Sequence, residues 1–192
     1  VAMLEDRIAA LEGADACRVQ ASGMAAMTVA LLCQLSQGDH VVAGRAAFGS
    51  CRWLVDQLLP RFGIESTTID ARDNEAWVEA IRPNTRVFFF ETPANPTMDI
   101  VDLAFVCGLA RERGITSVVD TAFAPPALQR PLEFGADVGA YSAPQLLDGP
   151  GRVVAARGDQ NDVALAQVRA LSGDPVGGVG RVGAVAALGG PH

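Results

Sequence analysis

Strand-like and helix-like segments alternate along this chain, and that alternation restricts the fold more than any other feature. Val87 to Phe90 and Ile115 to Val119 are continuous apolar runs, as strands covered on both faces require. Cys17 to Ala21, Val41 to Gly44 and Ile64 to Ile69 read as further strands, with weaker ones at Val138 to Tyr141 and Val153 to Ala155. Helical segments lie between and around them. These are Val1 to Glu12, closed by Gly13; Gly23 to Leu35; Cys51 to Phe62, which Pro60 must end or bend; Asp73 to Ile81; Asp102 to Arg113, closed by Gly114; and Asp159 to Leu171. Such alternation builds βαβ units, an α/β fold with a mostly parallel sheet flanked by helices. Ligands of such sheets bind beyond the carboxyl ends of the strands.

Composition removes several classes of function. The formal net charge is -7, so no basic surface is available to meet nucleic-acid phosphates. No apolar run approaches the roughly 20 residues of a membrane span. Glu5 and Asp6 stand where a secretory leader would be basic, so none is expected. Cys17, Cys33, Cys51 and Cys107 form no Cys-x-x-Cys pair and are expected to be reduced, mostly buried thiols of a cytoplasmic protein. His40 and His192 are the two histidines and have no ligand spacing, so neither a zinc site nor a Ser-His-Asp triad is expected. All 15 basic residues are arginine. Chemistry that needs a lysine amine is therefore closed to this polypeptide.

The residues just past the strands hold the candidate chemistry. Ser22-Gly23-Met24 opens an apolar helix, where free amides and the helix dipole suit an anion. Taken alone, an N-cap and a tight turn explain it better. Glu91-Thr-Pro-Ala-Asn-Pro96 is a rigid proline loop with Asn95 pushed toward an extended conformation. Asp120 ends a buried strand and needs a partner there. A protonated ring nitrogen of a cofactor, a helix N-terminus or an arginine would each serve. Ser142 lies near the same edge. Gly178 to Gly183 fits Gly-x-Gly-x-x-Gly, but it follows Asp-Pro rather than a buried strand and reads as an accident of composition.

Together these pieces carry a resemblance. "LEGADACRVQASGMAA", "GDHVVAGRAAFGSC", "ETPANPTMDIVDLAFVCGLAR", "VVDTAFAPPALQRPLEFGADVGAYSA" and "DGPGRV" resemble the Cys/Met-metabolism, or transsulfuration, family of pyridoxal-phosphate enzymes. The likeness covers about Val1 to Val154, fades after that, and points most to the O-succinylhomoserine sulfhydrylase and cystathionine γ-synthase branch. It implies a fold type I, aspartate-aminotransferase-like large domain over residues 1–172, without the family's N-terminal arm and C-terminal small domain. Residues 173–192, rich in Gly, Val, Ala and Pro, are expected to be a poorly ordered tail, such as an out-of-frame reading would give.

The resemblance also implies roles. Ser22, Gly23 and Met24 match the cofactor phosphate site. Phe48 matches the aromatic ring stacked on the pyridine, Asn95 the residue near the phenolic oxygen, Asp120 the carboxylate at the pyridinium nitrogen, and Ser142 a phosphate-binding hydroxyl. The family's second hydroxyl there is Pro144, and its Schiff-base lysine is Gln145. A Gln amide is neither nucleophile nor base. The implied activity is replacement of the acyl group of an acyl homoserine by sulfur, in Met and Cys biosynthesis. With Gln145, the expectation is a degenerate, non-catalytic relative with no catalytic residue to assign. The alternative is a cofactor-binding or interaction subunit that pairs with an intact family member. The implied assembly is a homo-oligomer.

Overall fold

The structure is a computed structural model and describes residues 2–142 and 164–168. Among the described residues seven strands form one sheet: β1 (Ala16–Gln20), β2 (His40–Gly44), β3 (Glu65–Ile69), β4 (Thr85–Glu91), β5 (Thr116–Asp120), β6 (Val138–Ser142) and β7 (Ala164–Val168). Their order is β1-β7-β6-β5-β4-β2-β3. Neighbours from β3 across to β6 pair in parallel, while β7 runs antiparallel to both β1 and β6. The fold is the expected α/β class with a mostly parallel sheet.

Burial on both faces explains the apolar runs. In β4, Val87 and Phe89 point to one core with α2 (Gly23–Leu32) and α3 (Gly49–Trp53). Phe88 and Phe90 point to the other, with Trp77 of α4 (Asn74–Glu79) and Val106 and Ala110 of α5 (Leu103–Glu112). Trp77 lies 4.8 Å from the Phe88 ring and donates its indole N–H to the Ala71 carbonyl. The first helix, α1 (Ala2–Glu12), ends at Gly13 with φ of 65°, a left-handed cap that glycine adopts without steric cost. Asp73 and Asp102 cap α4 and α5 as expected.

Two expectations change. The helix expected over Cys51 to Phe62 is broken into α3, a π turn over Leu54–Leu58 and a 3-10 turn over Leu59–Phe62. Pro60 has no N–H to give an α-helical bond, so the segment tightens there. The helix expected over Asp159 to Leu171 is overturned, because Ala164–Val168 is strand β7. Its Ala-Leu-Ala-Gln-Val sequence suits a helix locally, but β1 and β6 offer it backbone partners on both sides, and tertiary pairing overrides so weak a preference. Cys17, Cys51 and Cys107 are buried and free, whereas Cys33 is exposed. The strand expected at Val153 to Ala155, Gln145 and residues 173–192 lie outside the described residues.

Candidate functional site

The predicted residues meet at one edge of the sheet. Gln20 of β1 and Ser142 of β6 both stand opposite Ala164 of β7, so their carboxyl ends are level. From β1 the chain passes to Ser22, which is extended and caps α2 by accepting from Ala25 N at 3.2 Å. The Ser22 carbonyl accepts from Ala26 N. That leaves the Gly23 and Met24 amides as the open donors of the first turn. Thr28 donates its hydroxyl back to the Met24 carbonyl. On β6, Ser142 Oγ is buried and has no hydrogen-bond partner among the described residues.

Two buried carboxylates stand at the centre. Glu91 ends β4, Asp120 ends β5, and the two are register partners on adjacent parallel strands. They are 2% and 4% exposed. Asp120 accepts from Ala122 N at 3.1 Å and from the Cys51 thiol at 3.8 Å. Glu91 accepts from Phe48 N at 2.6 Å through one oxygen and from Asn95 N at 3.1 Å through the other. Glu91 thus joins two predicted residues that are 47 positions apart in sequence. Phe48 leaves about half of its surface open to solvent. Asn95 sits in a loop held by Ala94 N on the Asp99 carbonyl and Val101 N on Thr92 Oγ1, with both of its X-Pro bonds cis.

The electrostatics are unbalanced. Burial raises Asp120 well above the usual carboxylate range, against the pull of its amide and thiol donors. Burial also raises Glu91, and the charge of Asp120 adds to it, while the Phe48 and Asn95 amides oppose. Burial and then both carboxylates push the Cys51 thiol far up, so it stays neutral. The ion pairs among the described residues all lie elsewhere. Among the described residues no arginine pairs with Asp120, one of the partners weighed for it. The edge therefore offers a carboxylate pair suited to a cation, and amides and a hydroxyl suited to an anion.

Sequence reasoning singled out Asp120 and missed Glu91 and Cys51. Glu91 carries the same signal as Asp120, a carboxylate at the end of a buried apolar strand. A separate cavity of about 620 Å3, lined by residues such as Ile100, Leu103, Leu128, Arg130 and Phe134, contains none of the predicted site residues. Among the described residues no His/Cys/Asp/Glu cluster could hold a metal ion, and no helix is long and apolar enough to cross a membrane.

The profile of the Cys/Met metabolism PLP-dependent enzymes matches residues 1–179. The chain belongs to that family. The match runs past Val154, where the resemblance was expected to fade. An O-succinylhomoserine sulfhydrylase of Pseudomonas aeruginosa is 44% identical over 164 residues, covering 83% of this chain and 41% of that protein. Cystathionine beta-lyase MetC of Bacillus subtilis is 45% identical over 146 residues, covering 76% of this chain and 37% of that protein. The crystal structure of metB from Corynebacterium glutamicum superposes with a TM-score of 0.78 at 35% identity, over 86% of this chain and 41% of that one. The chain thus spans about two fifths of the length of these relatives.

Proposed function

We propose that this chain carries the pyridoxal-phosphate pocket of an O-succinylhomoserine sulfhydrylase-like large domain, folded as one unit over residues 1–172. It would hold the cofactor without a covalent bond, and so not turn over substrate alone. The observation that carries the reading is the carboxyl edge itself: among the described residues, the buried Asp120 has no cation beside it and the buried Ser142 hydroxyl has no partner. A phosphorylated pyridinium matches both. Asp120 would keep the ring nitrogen protonated. Ser22, Gly23, Met24 and Ser142 would take the phosphate, which suits a helix N-terminus. Phe48 would cover the ring, and Asn95 would stand at its phenolic oxygen.

Pyridoxal phosphate, when bound, supplies an electron sink for reactions of amino acids. In a sulfhydrylase of this type the substrate would be an acyl homoserine and the acyl group would give way to sulfur. Turnover also needs an amine to bind the aldehyde and a base to move substrate protons. By the resemblance Gln145 takes the place of the family's lysine, and the chain holds no lysine. Orientation of the cofactor and substrate is what remains for this chain's residues.

Thermal unfolding with pyridoxal 5'-phosphate and with pyridoxine 5'-phosphate, which has no aldehyde, tests the reading. A ligand at 100 times its Kd adds about 2.7 kcal/mol to a site present only in the folded chain. Both compounds should raise Tm. A shift with pyridoxal 5'-phosphate alone would mean labelling of an amine and would count against the pocket.

A second reading, a subunit that pairs with an intact family member in the cytoplasm, is favoured by apolar side chains left in solvent. Met3 is 77% exposed, Leu128 76%, Ile100 61% and Met98 57%. Light scattering of the chain, alone and mixed with a full-length sulfhydrylase, separates the two. Mixed particles favour pairing, and a monodisperse monomer in both samples rejects it.

A further inference from the structure

Glu91 was not among the residues that the resemblance marked, yet it binds two of them and stands beside a third. Each of its oxygens accepts from the backbone of a different site residue, Phe48 and Asn95. Its register partner is Asp120. The groups that face it are the Asp120 carboxylate from β5 and the Cys51 thiol from α3 beside it, together with the two amides. Among the described residues no arginine or histidine pairs with either carboxylate. Two buried like charges on neighbouring strand ends cannot both ionise at little cost.

We infer that Glu91 is a positioning residue of this edge: it fixes the backbone of Phe48 and Asn95, and with Asp120 it shares one proton that a pyridine-type ring takes over on entry. The pair then carries a single negative charge when the ring is absent. When a ring with an unprotonated nitrogen enters, one carboxyl O–H bond breaks and one ring N–H bond forms. The two carboxylates then face the pyridinium as a dianion. No proton is drawn from solvent and nothing is oxidised or reduced. A ring that arrives already protonated sends one proton to solvent instead. The ring-binding half rests on the cofactor reading above; the proton-sharing half does not.

The test uses the full ligand-free chain as wild type, Glu91→Gln and Asp120→Asn, melted from about pH 5.5 to about pH 8.5, a range that lies above ordinary carboxylate pKa values. The sign follows from linkage. Both carboxylates are raised on folding, so the folded chain binds a proton that the unfolded chain has released. Wild type should therefore lose several degrees of Tm as pH rises from about 7 to about 8.5, above the range in which the buried His40 opposes the decline. Gln offers one acceptor to two amides but removes the repulsion. Glu91→Gln should thus melt below wild type at the acid end and above it at the alkaline end, so the curves cross. Asp120→Asn keeps the Phe48 and Asn95 contacts and should flatten the same decline. A merely structural Glu91 would lower Tm by one amount at every pH, and curves parallel to wild type overturn the proposal. If Glu91→Gln does not melt cooperatively, Asp120→Asn decides: a flattened curve supports the pair and a parallel one overturns it. Titration with pyridoxine 5'-phosphate at both ends of the range judges the other half. Binding weakened at least tenfold by either substitution supports it, and no binding to wild type overturns it without touching the pH curves.

Discussion

The two ends of this sheet treat buried polar groups in opposite ways. At the amino end of β2, His40 is fully buried, with one ring nitrogen 2.8 Å from Thr85 Oγ1 and the other 2.9 Å from Thr67 Oγ1. Nearby, Ser117 of β5 donates to Asp137, accepts from the Asp137 amide and so closes a reciprocal pair. His40 and Ser117 each have partners supplied by the fold. At the carboxyl end, Glu91 and Asp120 repel one another and the Ser142 hydroxyl has no partner among the described residues. A buried polar group that the protein satisfies by itself is structure. One that it leaves unsatisfied is a cost to folding, which a ligand can offset.

Substitutions at the two ends should separate accordingly. The largest loss is expected from His40→Ala, which empties a packed site and strips both threonine hydroxyls of a partner. Chemical denaturation should show a loss of about 2–4 kcal/mol. Ser117→Ala should cost about 1–2 kcal/mol by the same measurement, because the half-buried Asp137 loses a donor. Asp120→Asn should leave ligand-free stability unchanged or raise it by about 1 kcal/mol, since it removes a buried charge that repels Glu91. Ser142→Ala should change it by less than about 0.5 kcal/mol. A loss at Ser142 equal to that at Ser117 would erase the distinction between the two ends.

The pH response should also differ in sign. Burial, reinforced by the Arg82 charge, lowers the His40 pKa below its ordinary 6.5, so the folded chain resists protonation there. The stability it contributes is present above that ordinary value and is lost as pH falls through it. The carboxylate pair does the reverse and loses stability as pH rises. His40→Asn should therefore flatten the acid side of a Tm-pH curve and leave the alkaline side alone. A change on the alkaline side would show that the two ends are not independent.

The strands were legible because burial on both faces writes itself as unbroken apolar runs, as in Val87 to Phe90. The caps were legible because Asp73, Asp102 and Gly13 act through local geometry. Strand β7 was not, since Ala164 to Val168 becomes a strand through partners distant in sequence. The site was half legible. Asp120 could be read from the end of its strand, and the family resemblance marked Phe48, Asn95 and Ser142. Glu91 escaped because it reads as the first residue of a polar loop. Its importance comes from register, which sets it beside Asp120, and from backbone amides that no sequence pattern displays.

On the proposed reading, the carboxyl edge takes a phosphorylated pyridine. Calorimetric titration of the full chain with pyridoxine 5'-phosphate, in wild type and Asp120→Asn, tests it most directly. Saturable one-to-one binding to wild type is expected, with at least a tenfold weaker Kd for Asp120→Asn, a loss of about 1.4 kcal/mol or more. Equal binding to both chains, or none to a wild type that melts cooperatively, would contradict it.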